Sequence, residues 1–138
     1  MSADYSNLRV LVVDDQAIAR QYVRGVLGSY GIENVVEASG GREALRVVTE
    51  RGARFDLILC DLRMPGTDGI ETLRKLASLG LQCAVAILSV EDERVIESAG
   101  LLASLRGLNL VGAVSKPQNG EKLELLLQRA TEALKPRR

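Results

Sequence analysis

Five residues with side chains suited to phosphate chemistry stand where apolar runs of this chain end. Val10-Leu11-Val12-Val13 runs into Asp14-Asp15, Leu57-Ile58-Leu59-Cys60 into Asp61, Ala84 to Leu88 into Ser89, and Leu110 to Val114 into Ser115-Lys116-Pro117. Asp61 opens Asp61-Leu62-Arg63-Met64-Pro65-Gly66-Thr67-Asp68-Gly69. A carboxylate between a buried strand and a Pro/Gly turn reads as a reactive group on a rigid edge. Three converging carboxylates repel one another, and a hard cation relieves this; Mg²⁺ suits carboxylates, a backbone carbonyl and retained waters. A metal-bound Asp beside a hydroxyl and an ammonium is equipped for phosphoryl transfer, with Asp61 as the nucleophile that becomes an aspartyl phosphate. Each residue taken alone has a plainer reading. A strand-end Asp is commonly a helix N-cap, with Asp15 placed to cap the helix that follows; a strand-end Ser is a turn residue and a lone Lys a solvated charge. Only the set, gathered at four strand ends, points to chemistry.

The composition removes several other chemistries. The chain has no histidine, which excludes Ser-His-Asp and Cys-His triads, and its two cysteines, Cys60 and Cys83, are too few for a structural zinc site. Both lie in apolar segments and read as buried thiols, with no disulfide expected outside a secretory context. Eighteen basic and eighteen acidic residues cancel, so no nucleic-acid or membrane footprint is advertised. The apolar runs are strand-sized, and Met1-Ser2-Ala3-Asp4-Tyr5 lacks the regions of a secretory signal, which implies a cytoplasmic protein. At 138 residues and 46% apolar composition, one core and one domain are expected.

The elements that must position these residues alternate along the chain. Residues 1–8 are polar and read as a frayed, flexible segment. A first strand ends at Asp14, and a helix from Gln16 to about Tyr30 carries Ile18, Tyr22 and Val26 beside Ala19, Val23 and Leu27, with Gly31 as its stop. Val35 to Ala38 is a second strand; the next helix carries Ala44, Leu45, Val47 and Val48 and closes near Gly52. The third strand is Leu57 to Cys60, followed by a helix with Ile70, Leu73, Leu76 and Ala77 that ends at Gly80. The fourth strand is Ala84 to Leu88, and an irregular fourth helix spans roughly Asp92 to Arg106. The fifth strand is Leu110 to Val114, and the last helix, about Gly120 to Leu134, carries Leu123, Leu126, Leu127, Ala130 and Leu134 as one stripe. Strands that are apolar throughout indicate a parallel sheet covered on both faces. The expected architecture is therefore an α/β, doubly wound, five-stranded parallel sheet of flavodoxin-like (βα)5 type, strand order 2-1-3-4-5. In that order the carboxyl ends of strands one, three, four and five form one crevice.

Val12-Val13-Asp14-Asp15, the Asp61–Gly69 stretch, Ser89 and Lys116-Pro117, in this order and spacing, resemble a response-regulator receiver domain, similar to the chemotaxis response regulator from Leu8 to Leu134. The resemblance implies that Asp61 accepts a phosphoryl group from the phosphohistidine of a sensor histidine kinase or phosphotransfer protein. It also implies that Asp15 binds Mg²⁺ directly, Asp14 through water, and Arg63 by its backbone carbonyl. Ser89 would hydrogen-bond the phosphoryl group and Lys116 pair with it, with a cis bond before Pro117. The receiver would span 9–134, with 135–138 a tail or the start of a linker. Phosphorylation would change the surface of the fourth helix, fifth strand and fifth helix, which controls an output domain or partner or forms a homodimer.

Three departures and two rivals frame this expectation. Where the family usually carries an aromatic switch residue three positions before the lysine, this chain has Ala113. Arg63 and Glu91, each two residues beyond a site residue, read either as a pair gating the pocket or as two separately solvated charges. The leucine-rich stretch 101–108 reads either as core or as a likeness to receivers that precede an EAL-type cyclic-di-GMP phosphodiesterase domain. The tail Leu134-Lys135-Pro136-Arg137-Arg138 ends where a linker would begin, so the chain reads either as a fragment of a longer regulator or as a complete single-domain protein. A phosphatase resembling the haloacid dehalogenases would need a second Asp two residues after the nucleophile, where Arg63 stands, and a nucleophile after the first strand. A receiver-like binding module that takes no phosphate would not need the intact set of Asp14, Asp15, Asp61, Ser89 and Lys116.

Overall fold

A computed structural model describes residues 4–50, 55–61, 69–79, 83–89, 94, 97–98, 107, 109–115 and 120–133. Five strands, β1 (Val10–Val13), β2 (Val35–Ala38), β3 (Leu57–Cys60), β4 (Ala84–Ser89) and β5 (Asn109–Ser115), form one sheet in the order β2-β1-β3-β4-β5. Every neighbouring pair is parallel. The helices are α1 (Ala17–Ser29), α2 (Gly41–Glu50), α3 (Gly69–Ser78) and α4 (Gly120–Ala133). The expected order and element types are those observed. Of the helix expected over Asp92 to Arg106, only Arg94, Glu97 and Ser98 fall within the described residues, and all three are helical.

The sheet separates two cores, which is why its strands carry no polar alternation. Val10, Val12, Leu57, Leu59, Ala84, Ala86 and Leu88 point to one face, where they pack with Val23 and Leu27 of α1 and Leu123, Leu126, Leu127 and Ala130 of α4. Leu11, Val13, Ile58, Cys60, Val85 and Ile87 point to the other, against Ala44, Val47 and Val48 of α2 and Leu73 and Leu76 of α3. Both cysteines are buried free thiols in this second core.

The fold departs from sequence expectation in three places. Asp4–Leu8, within the segment expected to be frayed, is packed: Tyr5 is 2% and Leu8 5% exposed, and the Tyr5 ring meets that of Tyr30 edge-on at 5.9 Å. The two spaced runs on α1 diverge, with Val23 and Leu27 in the core while Ile18 is 80% and Tyr22 49% exposed. β5 is longer than expected and carries an irregularity, since Val85 faces Leu110 but Ala86 faces Gly112, leaving Val111 as the extra residue. α1 ends as expected at Gly31: with φ +83° there, Gly31 N–H reaches Gly28 O and Ile32 N–H reaches Leu27 O, closing a Schellman turn.

Candidate functional site

β1 and β3 are hydrogen-bonded neighbours in register, Val13 opposite Cys60, so the residues that follow them emerge side by side. Those residues are Asp14 and Asp61. Asp61 N–H donates to Val13 O at 2.9 Å and Asp14 N–H to Ala38 O at 3.1 Å, which extends the ladder one residue past the strands and holds both backbones. Asp14 and Asp61 each stand one residue past Val13 and Cys60, where β1 and β3 end. Asp15 joins them where the chain turns into α1.

Carboxylate oxygens of Asp14, Asp15 and Asp61 lie within 4.8 Å of one another. Asp14 is 3% and Asp61 6% exposed, while Asp15 is half-buried. Burying like charges this closely is unfavourable without a compensating cation. The donor set fits Mg²⁺, which prefers hard oxygen ligands at about 2.1 Å, so that two ligands across the ion stand about 4.2 Å apart. Asp15 does not take the N-cap of α1; Gln16 does, without a side-chain cap. Asp14 instead accepts the Gln16 N–H at 3.0 Å, a turn that ties its carboxylate to the chain two residues on.

Around this cluster stands a residue that sequence reasoning passed over. Arg20 donates from NH1 to the carbonyl oxygen of Asp14 at 2.8 Å and from Nε to Glu37 Oε1 at 2.9 Å. Arg24 holds the other oxygen, Oε2, at 2.9 Å. Burial works to raise the Glu37 carboxyl pKa, but hydrogen bonds and charge from Arg24 and Arg20 outweigh it and hold it below its usual value.

The remaining expected site residues are less fully described. Ser89 is the last residue of β4 and lies opposite Ser115, the last of β5, so the backbone brings it to the sheet edge that carries Asp14 and Asp61. Arg63 and Lys116 lie outside the described residues, as do Pro117, Glu91 and the Arg63–Glu91 pairing. Ala113 stands in β5 opposite Ile87.

A family model for the response regulator receiver domain matches residues 10–128. The chain belongs to this family. Two-component response regulator ORR41 of Oryza sativa subsp. japonica is 35% identical over 124 residues, covering 87% of this chain and 91% of that protein. The cyclic di-GMP phosphodiesterase RocR of Pseudomonas aeruginosa is 33% identical over 125 residues, covering 90% of this chain but 31% of RocR. The chain thus spans about a third of the length of RocR, and likewise 34% of a protein-glutamate methylesterase/protein-glutamine glutaminase of a Nocardioides species. Among solved structures, chemotaxis protein CheY4 of Vibrio cholerae superposes with a TM-score of 0.74 at 33% identity, covering 89% of this chain and 98% of that one. A receiver domain is a phosphoacceptor switch of two-component signal transduction, and receiver domains bind Mg²⁺ at the acidic pocket, where Asp14, Asp15 and Asp61 stand here.

Proposed function

We propose that Asp61 is the phosphoacceptor of this receiver, that Ser89 and Lys116 contact the phosphoryl group, and that Asp14, Asp15, Asp61 and the Arg63 backbone carbonyl hold Mg²⁺. The observation that carries this is the convergence of three carboxylates within 4.8 Å at the carboxyl ends of β1 and β3, two of them buried. In the transfer, an Asp61 carboxylate oxygen attacks phosphorus, the phosphorus–nitrogen bond of a phosphohistidine breaks, and the departing imidazole nitrogen keeps the electron pair. The product is an acyl phosphate. Mg²⁺, when bound, neutralises charge on the phosphoryl oxygens. Asp61 is well placed for attack because its backbone is pinned to β1 and its carboxylate lies with those of Asp14 and Asp15 where β1 and β3 end. Lys116 and the Ser89 hydroxyl supply a positive charge and a donor toward oxygens that gain charge in the transition state.

The donor is a sensor histidine kinase or phosphotransfer protein, and the chain acts as an acceptor that assists its own phosphorylation and dephosphorylation rather than as an enzyme turning over esters. We assign residues 1–8 to a leading segment, 9–134 to the receiver and 135–138 to a tail or linker. The output is an EAL-type phosphodiesterase domain or another partner read through the surface of the 92–106 segment, β5 and α4, with a homodimer as one mode of that contact. Support for a cyclic-dinucleotide output comes from RocR and from a response regulator/GGDEF domain protein of TM-score 0.78 and 31% identity, of which this chain covers 51%. A cytoplasmic setting agrees with the absence, among the described residues, of any helix long and apolar enough to cross a membrane.

The test is phosphorylation by acetyl phosphate or phosphoramidate with Mg²⁺, read by intact-protein mass. The wild type is expected to gain one phosphoryl group, hydroxylamine-labile as an acyl phosphate is, and Asp61→Asn none. Labelling of Asp61→Asn at wild-type level would overturn the assignment, and sustained turnover of a generic phosphate ester would favour an enzyme.

A further inference from the structure

We propose that Arg20 is the positioning residue of the acidic pocket: its guanidinium fixes the peptide joining Asp14 to Asp15, and Glu37 fixes the guanidinium. This rests on reading the acidic cluster as a cation site. The Asp14 carbonyl and the Asp15 N–H belong to one rigid planar unit. A hydrogen bond to Asp14 O therefore orients the backbone from which the Asp15 carboxylate projects. Arg20 NH1 makes that bond at 2.8 Å, while Ala38 O at 3.1 Å and Gln16 N–H at 3.0 Å hold the N–H and the carboxylate of Asp14. All three polar parts of Asp14 are thereby tied.

The donors of a guanidinium lie in one plane at fixed angles, so anchoring Nε on Glu37 dictates where NH1 points. Glu37 is itself steadied from the far side by Arg24, whose NH2 also donates to Val35 O at 3.0 Å. The relay runs from edge strand β2 through Arg24, Glu37 and Arg20 to the pocket. Its inner member is the better shielded, the Arg20 side chain being 17% exposed against 44% for Arg24. Arg24 already staples α1 to β2; what Arg20 adds is the reach to Asp14.

Charge and orientation make opposite demands on cation affinity, and this makes the role testable. Acting by charge alone, Arg20 would repel Mg²⁺, so Arg20→Ala would tighten binding and Arg20→Lys leave it unchanged. Acting by orientation, both variants weaken it, because a lysine ammonium is a point charge that cannot hold two partners in a fixed fork. Outer-shell partners of metal ligands typically contribute about 10–100-fold in affinity.

Mg²⁺ titration calorimetry on the full chain, with thermal unfolding in EDTA, decides. Arg20→Lys is expected to raise the Mg²⁺ dissociation constant about tenfold or more. Saturating Mg²⁺ should then restore its phosphorylation by acetyl phosphate, a rescue that general loosening would not give. Arg24→Ala, which loosens Glu37 but leaves both Arg20 bonds possible, should lower the unfolding temperature and raise the dissociation constant by less than Arg20→Lys does. Should Arg20→Ala fail to fold, Arg20→Lys, which keeps stem and charge, carries the result. An unchanged or tighter constant for Arg20→Lys, or an equal rise for Arg24→Ala, overturns the inference alone. A wild type that binds no Mg²⁺ overturns the cation site as well.

Discussion

Tyr5 buries its whole side chain, yet its hydroxyl has no hydrogen-bond partner among the described residues. An unpaired buried polar group costs about 1–3 kcal/mol, whereas the ring gains from Tyr30 edge-on and from the α1–α4 core. Tyr5→Phe should therefore stabilise the domain by about 1 kcal/mol, and Tyr5→Ala should cost about 3–5 kcal/mol, both read as shifts in urea midpoint. Cys83 shows burial acting on a titrating group: desolvation pushes its thiol from 9.0 up to about 11. A raised folded-state pKa means the folded chain holds this proton more tightly. Its contribution to stability is intact below pH 9 and is lost as pH climbs toward 11. At neutral pH the native thiol should resist iodoacetamide for hours while the urea-unfolded chain alkylates at both cysteines; rapid native labelling of Cys83 would show that the thiol is not sequestered.

At the scale of elements, β5 and α4 meet with no room to spare. A Cβ on Gly112 would stand 2.5 Å from Leu126 Cδ2 and 3.1 Å from Arg129 NH1. Leu126 is 1% exposed and hemmed by the core, so it does not yield cheaply, whereas the exposed Arg129 can swing aside at the loss of its bond to Val111 O at 3.0 Å. Gly112→Ala should cost about 1–3 kcal/mol of unfolding free energy with an unchanged denaturant slope. That contact, like the extra Val111, was not legible in the sequence, where Leu110-Val111-Gly112-Ala113-Val114 reads as an ordinary buried strand. The strands were legible because two-sided burial in a parallel sheet writes itself as unbroken aliphatic runs. On α1 the pattern was ambiguous, since Ile18 and Tyr22 keep the same spacing as Val23 and Leu27 and only packing separates them. The packing of Asp4–Leu8 was missed because two apolar residues among polar neighbours carry no periodicity. In the site, Asp14, Asp15 and Asp61 could be read because a carboxylate after an aliphatic run is conspicuous. Arg20 could not: one partner is a backbone carbonyl, and the other, Glu37, is 17 residues away on a different element.

For the whole molecule, the acidic pocket couples fold stability to the ionic medium. Formal charge cancels over the chain, so the electrostatic strain is local, set by three carboxylates within 4.8 Å rather than by net repulsion. Added salt should therefore substitute poorly for a specific cation, because buried charges are screened less than exposed ones. A ligand that binds only the folded state stabilises it by about 2.7 kcal/mol at a hundredfold excess over its dissociation constant. Asp61→Asn removes one charge without changing shape and so should relieve strain in the absence of metal while weakening the cation's hold. The wild type and this variant should then exchange rank: in EDTA Asp61→Asn unfolds at the higher temperature, and with millimolar Mg²⁺ the wild type gains more, closing or reversing the gap. Differential scanning calorimetry with MgCl₂ and with NaCl of matched ionic strength makes the comparison. Equal gains in both proteins, or equal gains from both salts, would mean that the three carboxylates do not act together as one cation site.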